Sequence, residues 1–139
     1  MKDIDLVSGD VIDVALALHR ELGPGLLESV YETIPAGKLT QLGYSVQRQL
    51  PVDIQYEGLL FQSAFRVDLL IDARLLVEIK SVDLLNIAHT KQLLTYLRLM
   101  KQPVGLLLNF GAPTLKDGIR RVVNNYSPSA SPRLRVNQS

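Results

Sequence analysis

The stretch Phe65–Ser81, FRVDLLIDARLLVEIKS, constrains this chain more than any other, because it reads as two short strands joined by a tight reversal and places acidic groups where strands seldom carry them. Alternation sets Phe65, Val67, Leu69 and Ile71 on one face of the first strand and Arg66, Asp68, Leu70 and Asp72 on the other. In the second strand, Leu75–Lys80, it sets Leu75, Val77 and Ile79 against Leu76, Glu78 and Lys80. A three-residue reversal, Asp72-Ala73-Arg74, pairs Leu75 with Ile71 and lands Glu78 opposite Asp68. Like charges facing each other across a ladder destabilise it unless positive charge lies between them. A divalent cation meets that need, with Lys80 two residues along on the face of Glu78.

Composition excludes several other chemistries. With no cysteine, disulfides, thiolate zinc sites and cysteine nucleophiles are out, and the two histidines, His19 and His89, are too few for a histidine cage. The N-terminal MKDIDLVSGD lacks an apolar signal core, and no apolar run nears the roughly 18 residues of a membrane span, so a cytoplasmic protein with no membrane partner is expected. A net charge of +1 does not advertise a nucleic-acid binder, although a local basic stripe suffices for one.

Around the central stretch, the 139 residues read as one domain over 1–126 and a flexible tail over 127–139, where SPSASPRLRVNQS lacks periodicity and apolar mass. Apolar spacing predicts a helix over Val7–Leu22 with Ser8 as N-cap. After Gly23-Pro24-Gly25 a second helix starts near Leu26 and carries Glu28, Tyr31 and Glu32. Pro35 predicts a kink or break around Ile34–Gly37, with Gly43 as the stop after helix resumes through Leu39 and Leu42. Strands are expected over Tyr44–Leu50, Val52–Tyr56 and from Leu60 into the central stretch, with a turn at Glu57-Gly58. A third helix spans Ile87–Met100, a strand covered on both faces spans Val104–Phe110, and a short helix spans Leu115–Asn124. The order α-α-β-β-β-α-β-α implies an α/β (α+β) fold, a mixed sheet flanked by helices.

Hard cations such as Mg²⁺ or Mn²⁺ take one or two protein carboxylates and keep waters and substrate phosphates as remaining ligands. Asp68 and Glu78 suit that role, with the Ile79 backbone carbonyl between Glu78 and Lys80 as a further ligand. A metal so held lowers the pKa of a bound water and polarises a phosphoryl oxygen, and Lys80 is placed to orient the attacking water.

Asp68 followed by Glu78-Ile79-Lys80 resembles the D…(D/E)-x-K core of the PD-(D/E)xK nuclease superfamily, with Val67 where the name has proline. Gln92-Leu-Leu-Thr-Tyr96 resembles the Q-x-x-x-Y motif of its exonuclease branch, and Gly25-Leu-Leu-Glu28-Ser-Val-Tyr31 resembles the signature of its GxxExxY family. The similarity runs from about Val11 to Val123 and includes GPGLLESVYE, HTKQLLTYL, GLLLNFG and LKDGIRR. The resemblance implies a restriction-endonuclease-like fold and a Mg²⁺- or Mn²⁺-dependent nuclease. Its catalytic residues would be Glu28, Asp68, Glu78, Lys80 and Gln92, its metal ligands Asp68, Glu78 and the Ile79 carbonyl, and its substrate contacts Tyr31, Tyr96 and Arg66. It also implies a nucleic-acid partner, DNA ahead of RNA. The Ile34-Pro35-Ala36-Gly37-Lys38 segment departs from the family's unbroken helix.

Other readings of the same residues stay open. Asp68, Glu78 and Lys80 can be a surface salt-bridge ladder, and Arg66 can pair with Asp68 or Asp72. His89 can be a helix cap or a substrate contact, and Arg120, Arg121, Arg133 and Arg135 a phosphate patch or solvated charge. The fold can also serve a non-catalytic module that binds nucleic acid or protein, or a homodimer whose second subunit completes a cleft.

Overall fold

The computed structural model describes residues 2–125, so the expected tail at 127–139 lies outside the described residues. The elements are α1 (Ile4–Leu22), α2 (Glu28–Gln41), β1 (Val46–Tyr56), β2 (Leu59–Ile71), β3 (Leu75–Lys80), α3 (Ile87–Met100), β4 (Val104–Asn109) and β5 (Ile119–Val123), with a 3-10 turn at Leu115–Gly118. The strands form one mixed sheet in the order β1-β2-β3-β4-β5, with only β3 and β4 parallel, as their crossover through α3 requires. The α/β order is as the pattern implies, except that the final helix shrinks to the 3-10 turn and the residues after it become an edge strand. Val122 there packs into the core while Arg120 and Arg121 stay exposed.

Two cores sandwich the sheet. On one face Val7, Val11, Ala15 and Leu18 of α1 and Tyr31, Ala36 and Leu39 of α2 pack on Leu69, Ile71, Leu75, Val77, Ile79 and alternate residues of β4. On the other, Leu93 and Leu97 of α3 pack on Val67, Leu70, Leu76 and Leu107. The β4 segment is buried at all six positions, which accounts for its unbroken apolar run.

Three boundaries differ from expectation. α1 begins earlier, capped by the Asp3 side chain, which accepts the Asp5 N–H, because Ile4 already belongs to the apolar stripe; Ser8 is a buried interior residue and not the cap. α2 continues through Pro35, so no break occurs at Ile34–Gly37. A mid-helix proline costs about 3 kcal/mol. Here Pro35 lies on the buried face with Tyr31, Glu32, Ala36 and Leu39, and that burial holds the helix together on both sides of it. Gly43 does end the helix region, at φ 98°, where its N–H reaches the Thr40 carbonyl. β1 runs unbroken past Pro51, a tolerated position because β1 is an edge of the sheet.

The fourth difference matters most. Leu69 and Ile71 lie in the α1/α2 core, whereas Phe65 and Val67 lie against α3, so strict alternation fails between Val67 and Leu69, at Asp68. β1 shows the same change, with Val46 on the α1/α2 side and Leu50 and Val52 on the α3 side. The irregular residue between them is Gln49, at φ 48°, in the left-handed region. On the N-terminal side of Leu69, β2 is paired only with β1, as a hairpin with exposed Tyr56, Leu59, Leu60 and Phe61 near its tip.

Candidate active site

The acidic pair stands where β2 and β3 separate. The register Ile71↔Leu75, Leu70↔Leu76 and Leu69↔Val77 brings Asp68 level with Glu78, as the three-residue reversal requires. The ladder does not extend to this pair. Instead, Glu78 Oε2 accepts the Asp68 N–H at 2.9 Å and Asp68 Oδ2 accepts the Ile79 N–H at 2.8 Å. Each carboxylate thus caps the backbone of the opposite strand; Asp68 Oδ1 also accepts from Gln49 Nε2 at 3.2 Å, while Glu78 Oε1 has no hydrogen-bond partner among the described residues. Within a strand a residue's N–H and C=O share a side, so the Ile79 carbonyl also faces the β2 side.

Burial dominates the electrostatics. Glu78 is 5 % exposed, and desolvation, then the neighbouring Asp68 charge, push its carboxyl up to about 8. Desolvation also raises Asp68, with the charge of Glu32 adding to it and the Ile79 N–H opposing it. Lys80 is half-buried and its charge lowers both carboxyls, but among the described residues no ion pair joins it to either. The pair is therefore short of positive charge, and a divalent ion is what its donor set fits. Among the described residues no three His, Cys, Asp or Glu side chains converge on one point, so the protein offers two carboxylates plus backbone, as suits an ion that keeps part of its water shell.

Around this pair the other expected residues are placed unequally. Glu28 is exposed at the start of α2, close enough for its charge to act on Glu78. It lines a cleft of about 650 Å³ with Gly25, Leu26, Ser81, Asp83 and Gly111, a lining that includes neither Asp68 nor Glu78. Tyr96 stacks on Phe65 with ring centroids 4.1 Å apart, and burial, then Glu78 and Asp68, raise its phenol, so it borders the pair. Gln92 is exposed one turn before Tyr96 and makes no hydrogen bond to the carboxylates among the described residues. Arg66 is exposed and, among the described residues, has no ion pair; the pairing with Asp68 or Asp72 does not form, and Asp72 Oδ1 instead accepts the Ser45 N–H. Tyr31 is the correction. It is fully buried, stacked on Phe110 at 4.4 Å, and its hydroxyl donates to the Gly23 carbonyl at 2.5 Å and accepts the Leu26 N–H at 3.1 Å. It braces the loop before α2 and is out of a substrate's reach. His89 closes a capping box with Asn86, its Nδ1 accepting the Asn86 N–H.

Sequence reasoning passed over Glu32, Arg48, Gln49 and Asn109. Glu32 is 6 % exposed and accepts from Arg48 and Gln49; its one signal was its four-residue spacing from Glu28 on a helix. Asn109, level with Lys80 and buried, clips the chain beyond β3: its Oδ1 accepts the Val82 N–H and its Nδ2 donates to the Val82 carbonyl.

The three-layer α/β/α fold thus presents Asp68 and the Glu78-Ile79-Lys80 segment together where β2 and β3 of its mixed sheet separate. The family model of the PD-(D/E)XK nuclease superfamily matches residues 5–122, and the chain belongs to that superfamily. Nucleic acid is the substrate class this membership implies, and nucleases of the superfamily generally use divalent metal ions. No match was found among the curated proteins or among the solved structures. No helix among the described residues is long and apolar enough to cross a membrane.

Proposed function

We propose that this protein is a Mg²⁺- or Mn²⁺-dependent nuclease of the GxxExxY type that hydrolyses phosphodiester bonds of nucleic acid, DNA ahead of RNA. The observation that carries the reading is the pairing of buried Glu78 with half-buried Asp68 where β2 and β3 separate, each carboxylate bonded to the opposite strand's backbone and neither in an ion pair with a cation among the described residues. Asp68, Glu78 and the Ile79 carbonyl would hold the metal. When bound, it would activate water and polarise the scissile phosphate. Lys80 orients the attacking water, Glu28 adds negative charge on the cleft side, and Gln92 and Tyr96 border the substrate from α3. Arg66, exposed beside the pair, contacts phosphate. A single small domain offers a shallow surface to a duplex, and a second copy would complete the cleft in a homodimer.

The direct test is cleavage of end-labelled single- and double-stranded DNA and RNA with Mg²⁺ or Mn²⁺. Lys80→Ala is expected to lower the rate by about 10²–10⁴-fold, and chelation to abolish it. An unchanged rate in Lys80→Ala would remove Lys80 from the chemistry and with it this reading. One observation favours a second reading, a binding module without cleavage: the same two carboxylates satisfy backbone N–H groups and so also serve as a structural strap. Salt-sensitive nucleic-acid binding without metal-dependent cleavage would select it.

A further inference from the structure

We propose that Gln49 is the positioning residue for Asp68, braced by the ion pair of buried Glu32 with exposed Arg48. The argument begins with the backbone. Gln49 lies inside β1 yet adopts φ 48°, a conformation open to glycine and reached by glutamine only under constraint. The neighbouring residues remain paired, Arg48 with Leu69 and Leu50 with Val67, so the register is unchanged across Gln49 and Asp68; the register shift of this strand pair lies further along, between Val52 and Ile54. Backbone strain of this kind persists where surrounding structure enforces it, and it gathers at functional sites.

The side chain shows what the strained backbone achieves. Gln49 Nε2 donates to Glu32 Oε1 at 2.5 Å and to Asp68 Oδ1 at 3.2 Å, which uses both amide hydrogens. Glu32 is fixed in turn, because its Oε2 accepts from Arg48 Nε at 3.3 Å and Nη2 at 3.2 Å. Arg48 Nη2 is tied as well to the Thr33 hydroxyl at 2.8 Å. Asp68 is thereby held at both oxygens, Oδ2 by the Ile79 N–H and Oδ1 by Gln49. Gln49 also interposes two N–H groups between two carboxylates that would otherwise repel, since the charge of Glu32 acts on Asp68. A glutamine that only filled space would use neither the strained φ nor this pair of acceptors.

The part of the test that uses metal rests on the reading of Asp68 as a cation ligand, and the amide-exchange part does not. Gln49→Gly and Gln49→Ala both delete the amide; only glycine also relieves the backbone. Hydrogen exchange at the Ile79 amide is expected to quicken about tenfold in both variants while the Leu76 amide, in the intact ladder, keeps its rate. Mn²⁺ affinity by calorimetry is expected to fall about tenfold or more in both, the usual cost of losing an outer partner of a metal ligand. Gln49→Gly, which relieves the left-handed φ, should keep a higher Tm than Gln49→Ala while both lose affinity alike, and an affinity loss that does not follow stability is a combination that a merely structural role does not produce. Ile79 exchange and Mn²⁺ affinity both within about twofold of the parent in both variants would overturn the proposal. Faster Ile79 exchange in a protein whose parent binds no Mn²⁺ would uphold the positioning of Asp68 and count against the metal reading instead.

Discussion

Replacing Glu78 by glutamine should make the metal-free protein more stable, by an amount set by pH. The folded-state carboxyl titrates near 8 against an ordinary value of 4.5 because burial and Asp68 disfavour its charge. For an acid raised on folding, the cost to the folded state is absent below the unfolded pKa, grows between the two values and is constant above the folded one. At about 1.4 kcal/mol per pH unit, the cost is about 2 kcal/mol at pH 6 and about 5 kcal/mol above pH 8 for this carboxyl. The value belongs to the Asp68–Glu78 pair as much as to Glu78 alone. Glutamine keeps the shape and can still accept the Asp68 N–H through its amide oxygen, but carries no charge. For a chain of this size the gain in Tm is about 2–4 °C per kcal/mol, so about 5 °C at pH 6 and about 15 °C at pH 9. Thermal unfolding followed by circular dichroism in EDTA, at one-unit steps from pH 4 to 9, reads this directly. The variant and parent should melt together at pH 4 and diverge as pH rises. A difference in Tm that stays constant across that range would refute the reasoning, since packing changes carry no pH dependence.

Three further expectations come from the same structure. Because the pair holds a proton near pH 7 that a cation must displace, Mn²⁺ binding should release about one proton per ion, read from the buffer-ionisation dependence of calorimetric heats, and affinity should climb between pH 6 and 8; a proton-neutral titration would contradict the raised carboxyl. Tyr31→Phe deletes a hydroxyl bonded to Gly23 and Leu26 and should lower stability by about 1–3 kcal/mol in denaturant unfolding while leaving Mn²⁺ affinity intact; a large loss of affinity would return Tyr31 to the site. Gly111→Ala drives a Cβ into the backbone of Val82, so the loop beyond β3 must shift; a drop in Tm of about 5 °C or more is expected, and an unchanged melt would show that this close approach relaxes freely.

The sequence by itself determined the parts governed by short-range rules. The length of the reversal at Asp72-Ala73-Arg74 put Glu78 level with Asp68, because a ladder's register is set by its turn, and the continuous apolar run of β4 announced a strand covered on both faces. The spacing of α3 gave its bounds, Ile87 to Met100, since amphipathic periodicity and Pro103 are local signals. The superfamily core was legible for the same reason: Asp68 and Glu78-Ile79-Lys80 are joined through a single hairpin.

What tertiary structure decided were the places where local preference lost to packing. Pro35 should break α2, and does not, because burial on the α1/α2 side outweighs one missing hydrogen bond. Leu115–Asn124 carries helical spacing, but the open edge of β4 offered backbone partners to Ile119–Val123 and a strand formed there. Tyr31 reads as a site residue by motif and is a buried brace by position. Alternation through Phe65–Ile71 predicts one face, yet the chain changes faces at Asp68, and Gln49 is driven to a left-handed φ across from it. No periodicity encodes that change. It falls where the β2–β3 ladder ends, at Leu69 and Val77, and the acidic pair occupies the opening between the two strands there.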